Sequence, residues 1–465
     1  MKKNNGYSNN LNPYSTPIVM KKQIVFFILL LFTTHRLCAQ DTASYRFSLQ
    51  QCIDYAYENQ TNVANALLDE KVAQGRVREL LAVGYPQISG SVDVNHYIEK
   101  PTALVPASNF NGPEGVYLPF QFNLSDNGTA GINASQLIFD GAYFLGVKAA
   151  KTFEVLARKQ TTNTKIQTAV NVSKAYYGVL VGDARLGSLN SNIERLQKSL
   201  DDTRAFFEQG FVEKIDVDRL EVALNNLKTE KNKAERLTEL SIYLLKFQMG
   251  MDQSANLSLT DRLQDLNVPE VKDLPDSIDF SNRIELQIIK TQETLQNYNI
   301  KRYKAGYYPN IVAYGGLGTT TNSEEFDLFQ SDKRWYWNSI VGVKFSMSIF
   351  DGGIKRNKIA QEKATLQKIQ NGTETLQQGF ILEYNTAKRA YTNALSSFEF
   401  QKKNRDLASE IVRVSKLKYA QGVGSNLEVV DAESKLREAD SSFFTSMYDA
   451  LISKIDLDKA MGLIK

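Results

Sequence analysis

The chain has 465 residues, 42% hydrophobic and 23% charged, with two His, two Cys and a formal net charge of +3. That composition is ordinary for water-exposed protein, gives no electrostatic case for nucleic acid, and does not fit a bundle of apolar transmembrane helices. No Cys/His metal set, phosphate-cradling glycine loop or nucleophile elbow occurs, so the sequence offers no catalytic constellation, no metal site and no cofactor site.

Residues 21–40 read as an export leader. Lys21-Lys22 precede the apolar run Ile24 to Phe32, and Leu37-Cys38-Ala39 supplies accepted residues at the −3 and −1 positions of a secretory cleavage site. Met20 then reads as the start and residues 1–19 as an upstream extension. Cys38 leaves lipid modification open, although His35 and Leu37 stand where a lipobox has Leu and a small residue. Residues 1–39 hold five Lys/Arg and no Asp/Glu, so cleavage at Ala39 takes the formal charge from +3 to −2 and leaves Cys52 without a disulfide partner.

From 47 to 83 the spacing of Ile53, Ala56, Val63 and Leu67 is helical. Gln87 to Asn95 alternates Ile88, Gly90, Val92 and Val94 with polar residues, which reads as a strand. Residues 98–127 hold four Pro and read as a long exposed loop, followed by a strand from Thr129 to Phe139. A helical pattern runs from about Ala142 to Phe207, some 100 Å at the α-helical rise, and returns from Asp216 to Phe247. The helix at 47–83 is long enough to stack end to end with that shorter return helix. Residues 251–282, with Pro269 and Pro275, read as a linker.

The second half repeats the first. Tyr85-Pro86 returns as Tyr308-Pro309, Ile138-Phe139-Asp140-Gly141 as Ile349-Phe350-Asp351-Gly352, Gln209-Gly210 as Gln421-Gly422, and Met249-Gly250 as Met461-Gly462. The order is again helix (about 283–304), strand (Asn310 to Thr319), polar loop (320–333), strand (Tyr336 to Phe350), long helix to Tyr419 and return helix to Met461. None of the ten Pro falls in 120–268 or 310–465, as long unbroken helices require. The chain thus divides into 1–39 (extension and leader), 40–250 (first repeat), 251–282 (equatorial linker) and 283–465 (second repeat).

The last strand shows what such strands are for. Val341, Val343, Phe345, Met347 and Ile349 alternate with Gly342, Lys344, Ser346 and Ser348, and both tryptophans of the chain, Trp335 and Trp337, stand at its start like an aromatic girdle. Four strands of about ten residues match the length needed to cross a bilayer at a tilt. Four cannot close a barrel, and open sheet edges are not tolerated in lipid, so the wall must be shared between chains. Two chains would give eight strands and a filled interior, whereas three give about twelve and an aqueous lumen.

These features together resemble the TolC-like outer-membrane efflux protein family, over the mature chain from about Phe47 onward. The resemblance implies a mainly α protein with membrane β structure. Three chains would share a 12-stranded outer-membrane barrel, and long antiparallel coiled-coil helices would form a periplasmic tunnel. It also implies a passive exit duct of a tripartite efflux or type I secretion system. Its partners would be two further copies, outer-membrane lipid, a periplasmic adaptor (membrane fusion) protein and an inner-membrane RND or ABC-type transporter. Gly210 and Gly422 match the tips where the adaptor docks. Glu428 and Asp431 match an acidic ring at the tunnel entrance, and Glu428 is also N3 of a capping box with Ser425. Tyr419 and Asp216 match a bonded pair that latches relatives closed; Gly424 and Ile215 stand where a second latch pair would be. The alternative from another class is a periplasmic coiled-coil adaptor or scaffold without a pore, which would need no amphipathic strands.

Overall fold

The computed structural model describes residues 44–263, 275 and 278–464; the leader, with His35 and Cys38, and part of the linker lie outside these. The first repeat runs β1 (Ser44–Phe47), α1 (Leu49–Asn59), α2 (Thr61–Ala82), β2 (Gln87–His96), β3 (Ala103–Pro106), β4 (Tyr117–Phe120), β5 (Asp126–Phe139), α3 (Gly141–Glu208) and α4 (Lys214–Met249). The second runs β6 (Asn256–Leu259), α5 (Ile284–Ala305), β7 (Asn310–Ser323), β8 (Tyr336–Ser346), α6 (Ile354–Ala420) and α7 (Asn426–Ala460).

The repeats meet in one antiparallel sheet of order β2-β5-β7-β8, joined at its centre by β5 and β7. Register decides which side chains share a face. Val341 pairs with Gly315, Gly315 with Ala134, and Ala134 with Ile88, so these stand in one row across the sheet. Continued along the strands, that face carries Val92, Ile132, Leu317, Val343 and Phe345, while the other carries Ser89, Ser91, Asn133, Gly316, Gly342, Lys344 and Ser346. One face of the sheet is mainly apolar; the other is mainly small and polar, with Tyr314 and Ile340 among its residues.

Strand β8 ends at Ser346, four residues short of the sequence expectation, and Ser348 lies outside it. Its ladder stops where Ser346 meets Asn310, because the next residue of the partner is Pro309, which has no N–H to give.

The helices α3 and α6, 68 and 67 residues, each span about 100 Å. Above the middle α2 lies on α3 and α5 on both long helices; below it, α4 and α7 take their places. The expected end-to-end stacking is realised at the recurring Met-Gly pairs. Gly250, at φ 70°, ends α4 so close to the α1–α2 junction that a Cβ there would lie 2.6 Å from the Asn59 carbonyl oxygen. Gly462, also at φ 70°, ends α7 against Arg283, the N-cap of α5. The single helix expected over 47–83 is in fact two, broken at Gln60, whose side-chain oxygen caps Asn62 and Val63 at 2.5 and 3.1 Å.

At this equator β1 pairs in parallel with β6, and the expected plain linker therefore carries a strand. Around it lies a core of Cys52, Val172, Tyr176, Leu245, Met249 and Phe443, where the Tyr176 hydroxyl donates to Asp261 Oδ2 at 2.7 Å. Burial, reinforced by the Asp261 charge, pushes the Cys52 thiol up to about 12. The expected loop over 98–127 likewise holds a hairpin, β3 against β4.

Candidate functional site

The site has two parts, the wall at one end and the helix tips at the other. On the wall, the apolar face is open: Val341 is 88% exposed, and Val92, Ile132, Leu317 and Phe345 are exposed with it. In water this row would be a large unmet apolar area; against acyl chains it is satisfied. Trp337 belongs to the same row at 72% exposure, and Trp335 folds onto that face, with its ring 3.3 Å from where a Gly128 Cβ would stand. Both sheet edges, on β2 and β8, are unpaired among the described residues.

Strand passes to helix through the duplicated Phe-Asp-Gly. Asp140 caps α3 directly, accepting from Ala142 N at 2.7 Å and Tyr143 N at 3.2 Å, and its other oxygen accepts from Asn310 Nδ2 at 3.0 Å. Asp351 instead serves a tighter turn, accepting from Gly353 N and Lys355 N at 3.0 and 3.1 Å.

At the far end both repeats reverse in the same way. Phe211 N donates to Phe206 O and Gly210 N to Phe207 O, while Val423 N donates to Lys418 O and Gly422 N to Tyr419 O. This is the double bond of a Schellman turn, which needs a left-handed residue, and Gly210 and Gly422 supply it at φ 76° and 74°. The turns push Phe211 and Val423 outward at 74% and 76% exposure. Sequence reasoning named the glycines and missed these two apolar neighbours, whose signal was their position one residue beyond each glycine.

The expected latch is not formed. Tyr419 Oη is buried with no hydrogen-bond partner among the described residues, and Asp216 pairs instead with Arg219, one turn along its own helix, at 3.5 Å. What joins the two hairpins is a different set of polar ties. Asn426 Nδ2 donates to the Asp216 carbonyl at 2.7 Å. Further up, Asp440 Oδ2 on α7 accepts from Ser188 Oγ and Asn192 Nδ2 on α3, both at 3.0 Å. Two longer ion pairs also run between the hairpins, Glu230 of α4 to Arg437 of α7 at 3.9 Å and Glu433 of α7 to Arg195 of α3 at 4.0 Å, while the short contacts of these carboxylates, to Arg185 at 2.9 Å and Lys416 at 2.6 Å, lie within a hairpin.

Ser425 accepts from Glu428 N at 3.2 Å, so the cap forms, but the reciprocal half of the expected capping box is not made. Asp431 is exposed and holds Lys435 at 2.7 Å, and that hydrogen bond raises the Lys435 pKa above its usual range. Among the described residues no cluster of His, Cys, Asp and Glu could hold a metal ion, and no helix is long and apolar enough to cross a membrane.

The sequence profile of the outer membrane efflux protein family matches residues 52–241 and 280–463, most of both repeats. The chain belongs to that family. It is 22% identical over 426 residues to the probable efflux pump outer membrane protein TtgC of Pseudomonas putida KT2440, covering 89% of this chain and 83% of that one. With the outer membrane protein TolC of Vibrio cholerae it shares 21% identity over 344 residues, 73% of this chain and 78% of TolC. The solved structure of CusC superposes with a TM-score of 0.70 at 18% identity, over 91% of this chain and 95% of CusC. The fold is thus that of the TolC-like channel proteins, the location is the outer membrane, and the function is that of an efflux exit duct.

Proposed function

We infer that three copies of this chain close their sheet edges on one another and form one gated, passive duct in a tripartite export assembly. The observation that carries this reading is the two-faced sheet running straight into helices of about 100 Å: a wall built for lipid outside and water inside, continued as a tube. Three copies rather than two follow from the inner row. Its small and polar residues, Ser89, Ser91, Gly316, Gly342 and Ser346, suit a wet lumen and would not fill an eight-stranded interior.

In this reading the gate lies at the tips. Glu428 and Asp431 supply the acidic ring, but Lys435 beside Asp431 offsets one of the two charges, so each copy contributes a net −1 there. That is a weaker cation trap than paired carboxylates alone would make. In this reading closure rests chiefly on the hydrogen bonds of Asn426 and Asp440 between the hairpins, with the longer pairs Glu230–Arg437 and Glu433–Arg195, rather than on Tyr419 with Asp216. Tyr419 is left with an unmet hydroxyl on a cavity of about 390 Å³ that Asn426 also lines. A periplasmic adaptor linked to an inner-membrane RND or ABC-type transporter engages Gly210 and Gly422 through the outward Phe211 and Val423, and pulls the hairpins apart.

A photo-crosslinker at Val423 in the intact cell tests this. Capture of a periplasmic protein carrying its own helical hairpin supports the docking; labelling of outer-membrane lipid or of this chain alone contradicts it.

A further inference from the structure

The β2–β5 connection carries a surface that stays exposed among the described residues. On the β3–β4 hairpin, Phe110 stacks on Phe120 at 5.2 Å with planes 5° apart, and Phe120 stacks on Phe122 at 5.5 Å. All three rings are exposed, and the elements packed closely on the hairpin are its own strands and the turn Ala107–Phe110 between them. A contiguous apolar patch of this kind marks an interaction surface. A second patch stands at the same end of the sheet. In the β7–β8 connection Leu328 is buried over Gly128, which leaves Phe326 and Phe329 turned outward.

The ring stack follows a stretch of strand that runs on past the girdle. In register, Trp337 meets Thr319, Thr319 meets Ala130, and Ala130 meets Val92, so the girdle lies level with Val92. Strand β2 continues four residues to His96, about 13 Å beyond that level, before the hairpin begins at Ala103. The connection is tied on the β7 side. Lys100 and Ser125 bind Glu324 at the end of β7, on the inner side of the sheet. Its other side belongs to β2, an open edge. When that edge pairs with β8 of the next copy, the hairpin stands beside the 324–335 loop that leads into that β8.

We propose that the Phe110, Phe120 and Phe122 stack of each copy packs on Phe326 and Phe329 of the next, an aromatic clasp above each seam at the extracellular mouth. The clasp rests on the reading that copies of this chain share one barrel. Its work is to hold adjacent strands together where the bilayer no longer does.

The test places a benzophenone amino acid at Phe110 or Phe122 of the full chain in outer-membrane vesicles. Irradiation is expected to give covalent dimers that survive boiling in SDS, with the adduct in residues 324–335 of the second chain. The double variant Phe110→Ser/Phe122→Ser is expected to lower the temperature at which SDS-resistant oligomers separate, with single-channel conductance unchanged. Adducts on lipopolysaccharide, within the same chain, or none at all, while the native mass stays at several chains, overturn the clasp and spare the barrel. A native mass of one chain overturns both.

Discussion

Replacing Asp440 by alanine removes the carboxylate whose Oδ2 accepts two hydrogen bonds between the hairpins, from Ser188 Oγ and Asn192 Nδ2 at 3.0 Å each. Bonds to a charged acceptor contribute about 1.5–3 kcal/mol each, and the half-exposed position lets water recover part of that. A loss of about 2–3 kcal/mol per chain remains, which at 1.4 kcal/mol per decade shifts the closed-to-open balance by roughly 30- to 150-fold. Asn192 is not freed altogether, because its Oδ1 still accepts from Arg195 at 2.5 Å. The expected result in planar bilayers is a higher mean conductance with more frequent openings, and in cells a greater uptake of a dye too large for ordinary porins. Asp440→Asn, which keeps an acceptor but not its charge, should fall between. If Asp440→Ala assembles normally and its conductance and dye uptake match the unmodified protein, these ties do not hold the gate.

Three further outcomes follow from the geometry. Cys52, buried in the equatorial core with its thiol pushed up to about 12, should resist a thiol reagent at pH 8 in the folded assembly and react at once in denaturant; rapid labelling of folded protein would contradict that core. Gly250→Ala should lower the urea midpoint far more than Gly210→Ala. Both pay about 1–2 kcal/mol for a left-handed residue, but only at Gly250 does the new Cβ strike backbone, while Gly210 has open space. At the extracellular end, hydrogen bonds from Lys100, then Ser125, hold the Glu324 carboxyl below its ordinary value of 4.5. The tie is therefore at full strength above about pH 4.5 and is lost as pH falls through the lowered value. A spin label on the β3–β4 hairpin should gain mobility over that acid range, and a label indifferent to acid would show that Glu324 does not anchor the loop.

The strands were legible because a sheet exposed to two solvents must alternate: Val341, Val343 and Phe345 against Gly342, Lys344 and Ser346 admit one reading. The long helices were legible from the absence of proline, and the duplication from its landmarks, whose purpose the structure supplies. Met-Gly recurs because each return helix must end in a left-handed residue hard against the next helix start. What escaped had no periodic signal. The pairing of β1 with β6 joins two four-residue segments some 212 positions apart, too short for alternation to register. The β3–β4 hairpin hid in a proline-bearing stretch because Pro106 and Pro119 sit on a two-stranded ribbon with open edges, where a missing N–H is harmless. That Tyr419 and Asp216 do not bond here has a physical reason. One residue of helix rotation is about 100°, and sequence sets the phase of neighbouring helices only through their apolar seams. The polar ties that do form, such as Asn192 with Asp440, lie on those seams and were visible only as polar interruptions among leucines.

The central claim is that each chain supplies an arc of wall that is complete only among copies. Native mass spectrometry of the purified protein released from detergent micelles tests it directly. The account predicts a mass of three chains that persists on dilution; a stable mass of one chain, with the β2 and β8 edges left open, would contradict it.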